Sequence, residues 1–140
     1  MGLFNAFATK SFDISSKQIY LEYGSLLFDG EIVERAVKMD RDKLILTDSR
    51  IILILKCKGD KYEFVSVPYS NVRKFSILSK GVKEQNAALN IFLYGEDKPI
   101  RRVLNNCETV NEIYRFLGKH LSKVQTGFAL LNEVKTLKLN

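Results

Sequence analysis

The sequence predicts a mainly-β fold with a helix before it and a helix after it. Seven short segments between Glu31 and Leu104 show strand-like patterning and are separated by turn residues. Apolar residues recur at helical spacing before that stretch (Ile19, Tyr23, Leu26, Leu27) and after it (Val110, Ile113, Tyr114, Leu117, Leu121). Strands in such tight succession make a meandering antiparallel sandwich or barrel. An amphipathic helix following them needs a sheet to cover.

The first helix starts at Ser15, with Gln18 three residues later as a capping box. Gly24 weakens it by about 1 kcal/mol relative to Ala, and Asp29-Gly30 stops it. In the first strand, Glu31 to Met39, the alternation puts Val33, Val37 and Met39 on one side. A turn at Asp40-Arg41-Asp42 leads to Lys43–Thr47, and Asp48-Ser49 to Arg50–Cys57. The latter contains Ile51 to Leu55, the longest apolar run, which predicts cover on both faces. Lys58-Gly59-Asp60-Lys61 reads as a hairpin turn, with Gly59 supplying positive φ. Tyr62 to Val67 alternates, setting Val65 and Val67 opposite Tyr62 and Phe64, until Pro68 ends the ladder. Val72–Leu78, Ala88–Tyr94 and Lys98–Leu104 complete the seven. Asn105-Asn106 and the pair Thr109 and Glu112 carry capping signals for the second helix. Gly118 marks where it is expected to stop.

Composition excludes several classes. The 140 residues are 46 % hydrophobic and 27 % charged, which fits one globular domain and not a disordered or repetitive chain. Two cysteines are too few for a disulfide scaffold. No apolar run approaches the roughly 18 residues of a bilayer span, and no secretory signal pattern opens the chain, so the expected location is cytoplasmic. Met1-Gly2 lacks the hydroxyl residue that myristoylation wants, since Ala6 stands there. The net charge of +6 is local: residues 49–83 hold eight bases and two acids. Such a field attracts anions, but the plainer account is strand-edge lysines that discourage edge pairing.

Catalytic chemistry is not legible. His120 is the sole histidine and reads as a basic group in the last turn of the second helix. Cys57 and Cys107 form no Cys-x-x-Cys pair and read as two buried or half-buried thiols, so no metal is expected. The glycines form no phosphate loop. The expectation is no enzyme and no cofactor. Nucleic acid is not an expected partner, because Tyr62 and Tyr69 suit packing and Trp is absent.

Several segments together resemble the bacterial pleckstrin-homology family: Met-Gly-Leu-Phe at the start, Leu-Phe-Asp-Gly-Glu at 27–31, and Leu-Thr-Asp-Ser-Arg-Ile-Ile-Leu at 46–53. Val-Pro-Tyr at 67–69, Arg-Lys-Phe-Ser at 73–76 and Thr-Val-Asn-Glu-Ile-Tyr at 109–114 extend the likeness across residues 1–121. The resemblance implies a PH-like, partly open antiparallel barrel of seven strands capped by the C-terminal helix and preceded by an N-terminal helix. It divides the chain into an N-terminal segment and helix (1–30), a barrel with its plugging helix (31–121) and a C-terminal extension (122–140), as one domain overall. It also implies a binding module that assembles as a ring-like homo-oligomer.

Against the lipid-binding members of that fold, the residues argue for little. Lys38 and Lys43 occupy comparable places, but Asp40 and Asp42 lie between them and Ile45 stands where an Arg is wanted. Arg41, Lys43, Lys56, Lys58 and Lys61 are the candidate anion or lipid site, expected to give at most weak, peripheral membrane association. Apolar material outside the barrel is plentiful, and Phe4, Phe7, Phe128 and Leu131 are the candidate interface with other copies. The main expectation is a non-catalytic protein-interaction module whose partners are itself and an unidentified protein.

Overall fold

The computed structural model describes residues 12–80, 86–105 and 108–123. All seven expected strands form, and a short one precedes them. In chain order the elements are β1 (Phe12–Asp13), α1 (Ser16–Tyr23), a 3₁₀ turn (Gly24–Leu26), β2 (Val33–Met39), β3 (Asp42–Thr47) and β4 (Arg50–Lys56). They continue with β5 (Tyr62–Pro68), a second 3₁₀ turn (Tyr69–Asn71), β6 (Val72–Leu78), β7 (Ala87–Leu93), β8 (Ile100–Leu104) and α2, helical over 108–123. The strands make two antiparallel sheets, β1-β2-β3-β4-β5 and β6-β7-β8. Phe4, Phe7, Phe128 and Leu131 lie outside the described residues, as does Cys107.

The main core fills the space between the sheets. Leu44, Leu46, Ile51 and Leu53 from the first sheet meet Leu89, Ile91 and Leu104 from the second. Val110, Ile113 and Leu117 of α2 close it. Each full burial of such a side chain contributes about 1.5–3 kcal/mol.

A second core covers the outer face of the first sheet. Ile45, Ile52, Ile54 and Ala36 pack beneath Ile19 of α1, with Tyr23 and Leu27 beside it. This is why β4 is apolar at successive positions: Ile51 and Leu53 serve one core, Ile52 and Ile54 the other. α1 thus shares that outer core with the first sheet. Ser15 caps α1, its hydroxyl accepting from the Gln18 N–H at 3.2 Å. The helix is shorter than its apolar spacing suggested; it tightens to 3₁₀ at Gly24, and Leu26 stands 45 % exposed.

Val33 departs from its expected face. A register shift between Val33 and Arg35 inserts a bulge in β2, and one extra residue reverses the facing of everything before it. Val33 therefore joins the outer core, while Val37 and Met39 join the inner one. At the β4–β5 hairpin the expectation holds: Gly59 adopts φ +74°, a conformation that strains residues with a Cβ, and the Cys57 N–H donates to the Lys61 carbonyl at 2.9 Å. Gly118 does not end α2, which runs on through His120 to residue 123. Thr109 lies within that helix, and Glu112 pairs with Arg35 of β2.

Candidate functional site

The β2–β3 and β4–β5 turns lie at the same end of the first sheet, because β2, β3, β4 and β5 run antiparallel in sequence order. On the outer face at that end, Lys38, Arg41, Lys43 and Lys56 converge on a cleft of about 440 Å³ that also includes Asp40, Tyr23 and Tyr62. Three of the five residues singled out from sequence thus come together: Arg41, Lys43 and Lys56. Lys58 and Lys61 sit in the exposed hairpin turn and do not line the cleft.

Two of the cleft's cations, Lys43 and Lys56, are already engaged. Lys43 donates to the Tyr23 hydroxyl at 2.7 Å and pairs with Glu22 at 3.5 Å. Burial works against its charge, but the hydrogen bond to Tyr23 and the Glu22 carboxylate outweigh burial and hold its pKa above the ordinary lysine value. Lys56 donates to the Gly59 carbonyl at 2.7 Å and lies over the Tyr62 ring at 4.7 Å. The two acids differ in placement. Asp40 lines the cleft. Asp42 accepts from the Lys56 N–H at 2.8 Å and reaches Arg102 of β8 at 3.5 Å, tying the two sheets together.

At the other end of the same face, one base of the sequence's positive stretch is not a surface charge. Arg50 is buried and forms a two-pronged pair with Glu31: Nε to Oε2 and Nη2 to Oε1, both at 2.9 Å. The Thr47 hydroxyl donates to Glu31 at 2.7 Å, and the Phe28 N–H donates at 2.9 Å. Burial pushes the Glu31 carboxyl up; the bonds from Arg50, Thr47 and Phe28 outweigh it and hold it down at about 2. Arg50 also donates to the Leu26 carbonyl at 2.8 Å and lies 4.1 Å over the Phe28 ring. The network thereby fixes the segment joining α1 to β2. The cue in sequence was slight: an Arg directly before the longest apolar run, in a strand expected to be covered on both faces.

His120 stands in the last turn of α2, as expected, but it is buried there. It is 8 % exposed, stacked on Tyr69 with centroids 4.5 Å apart and tilted against Phe116 at 4.4 Å. Glu34 of β2 lies 3.3 Å from its Nε2. The Tyr69 hydroxyl donates to the Thr47 carbonyl at 2.7 Å. Burial, with Glu34, Asp48 and Glu31 nearby, raises the phenol's pKa well above its usual value. This stack fastens the end of α2 to the barrel. The signal was present: His120 falls three residues after Leu117, on the helix's apolar stripe. Cys57 is exposed, not buried, because its strand ends in the hairpin turn. Among the described residues no three His, Cys, Asp or Glu side chains gather as a metal set, and no helix is long and apolar enough to cross a membrane.

Two antiparallel sheets, open along one side and closed at one end by a C-terminal helix, define a pleckstrin-homology-like domain. The sequence pattern described as Bacterial PH domain matches residues 2–121, and the chain belongs to that family. It is similar to the Uncharacterized protein YjqA of Bacillus subtilis (strain 168), at 30 % identity over 121 residues, 84 % of this chain and 97 % of that one. A DUF1696 family protein with a pleckstrin-homology domain from Shewanella loihica PV-4 superposes with a TM-score of 0.70 at 24 % identity, covering 80 % of this chain and 97 % of its own. A pleckstrin homology domain from Shewanella amazonensis SB2B gives 0.68 at 25 % identity, covering 86 % and 98 %.

Proposed function

We propose that this protein is a non-catalytic protein-interaction module that associates with copies of itself. The observation that carries the reading is the apolar belt between residues 21 and 32. Leu21 is 79 % exposed, Phe28 59 %, Ile32 57 % and Leu26 45 %. Single exposed apolar residues are ordinary, but several within one short stretch mark a contact surface. The belt is also held in shape: Arg50 fixes the Leu26 carbonyl and the Phe28 ring from below. A rigid apolar patch loses little conformational freedom on docking, which favours association. A patch meeting a different surface on the next copy closes into a ring when the rotation allows. The exposed Cys57 thiol supports a reducing compartment such as the cytoplasm as the setting of this reading.

The test is the mass of the full chain in sedimentation velocity, beside a Leu21→Asp/Phe28→Asp variant. The wild type should run as an oligomer. The variant should run smaller with unchanged far-ultraviolet circular dichroism. A monomeric wild type, or a variant with the full assembly mass, would sink the reading.

A second reading is weak binding of anionic surfaces, supported by the convergence of Arg41, Lys43 and Lys56 on one cleft. The engagement of Lys43 by Glu22 and Tyr23, and the presence of Asp40, keep that site weak and non-selective.

A further inference from the structure

The β6-β7-β8 sheet turns Phe75, Ile77, Leu89 and Ile91 to the core. Its opposite face is built in rows by the strand register. Lys74 stands beside Phe92 at one end, Arg101 beside Asn90 in the middle, and Leu78 and Val103 flank Ala88 at the other end. Leu78 is 62 % and Val103 58 % exposed, whereas Ala88 between them is 5 % exposed. A small floor between two aliphatic walls is a shallow apolar seat. A register shift between Val72 and Lys74 brings Arg73 to the same end as Lys74. Both cations lie over the Phe92 ring, at 5.5 and 4.6 Å. Every charged side chain that β6, β7 and β8 place on this face is a cation: Arg73, Lys74 and Arg101. Of the carboxylates nearest in sequence, Glu96 and Asp97 belong to the turn beyond the Phe92 end, and Glu84 falls between β6 and β7.

We propose that this face docks an extended acidic segment of a different protein. Carboxylates would meet Arg73, Lys74 and Arg101, and one apolar side chain would seat over Ala88 between Leu78 and Val103. The Lys74 and Leu78 rows are four residues apart on one strand, about 13 Å at strand rise. The partner's acidic cluster and its apolar anchor are therefore roughly four residues apart in extended chain. Like charge decides against the same face of a second copy as occupant, since Arg73, Lys74 and Arg101 of the two copies would meet. The aromatic decides against nucleic acid: the Phe92 ring is covered by two cations, and base stacking needs an open ring face. The inference rests on the reading of the domain as a protein-interaction module, but it uses a surface other than the belt at residues 21–32.

The test is fluorescence anisotropy on the full chain with three labelled probes. These are a peptide with a Glu-Glu-Glu-Gly-Gly-Leu-Val core, the same peptide with Gln for each Glu, and a short oligouridylate. The Glu peptide should bind, weaken steeply with added salt, and exceed the Gln form by about tenfold or more. Arg73→Glu/Lys74→Glu should remove that preference. Val103→Asp should weaken the Glu peptide while the melting temperature and sedimentation mass hold. Equal binding of the Gln form, no binding of either peptide, or preferential binding of oligouridylate through Arg73 and Lys74 would each overturn the proposal. Because the sedimentation mass is read in the same samples, loss of peptide binding with intact assembly refutes this face alone. Absence of assembly refutes the self-association reading separately.

Discussion

Glu31→Gln is the substitution that asks most of this structure. The carboxylate it removes has 0 % side-chain exposure and is held by Arg50, Thr47 and the Phe28 N–H. Gln keeps the size and one acceptor, but it turns an amide N–H₂ toward a buried guanidinium. Breaking one member of a buried pair costs about 3–5 kcal/mol, since the other charge is left uncompensated. Acid should reproduce part of this loss in the wild type. With the folded carboxyl held at about 2 against 4.5, ionised Glu31 contributes about 3 kcal/mol to stability. Because the folded value is the lower one, that contribution is complete above the unfolded value and fades as pH falls from there toward about 2. Urea unfolding followed by circular dichroism, from about pH 6 to about pH 3, measures both effects. The variant should be less stable at neutral pH and should show a shallower acid dependence than the wild type. If it keeps the wild-type slope, or loses less than about 1 kcal/mol at neutral pH, the pair is not holding the segment that carries Phe28.

Two further outcomes follow from the cores and the cleft. Leu117 is 1 % exposed where α2 meets both sheets, so Leu117→Ala should cost about 2–5 kcal/mol in chemical denaturation; a loss below about 1 kcal/mol would mean that α2 does not plug the barrel. Flotation with phosphatidylserine vesicles should show weak binding at low salt that is lost near physiological ionic strength, where the screening length is about 8 Å, and binding that survives high salt and depends on Lys56 would contradict the account of a weak, non-selective cleft.

The strands, their order, both helices and the family resemblance were legible in the sequence, because turn residues and apolar periodicity are local signals. Ile51 to Leu55 announced a strand covered twice, and Ser15 announced the start of α1. What lay beyond reach was decided across the chain. The bulge at Val33 depends on pairing with β3 and reverses a face without any change in composition. Arg50 belonged to a positive stretch until folding set Glu31, nineteen positions earlier, against it. His120 had no acid near it in sequence, and only the packing of α2 onto the barrel brings Glu34 and the Tyr69 ring to it. The basic cleft was half visible: sequence supplied the cations and Asp40, but only the position of α1 shows Lys43 already taken by Glu22 and Tyr23. Periodicity says which way a side chain turns within its own element. Which charge it meets there is settled by residues distant in the chain, through burial and Coulomb attraction that exist only once the elements are packed.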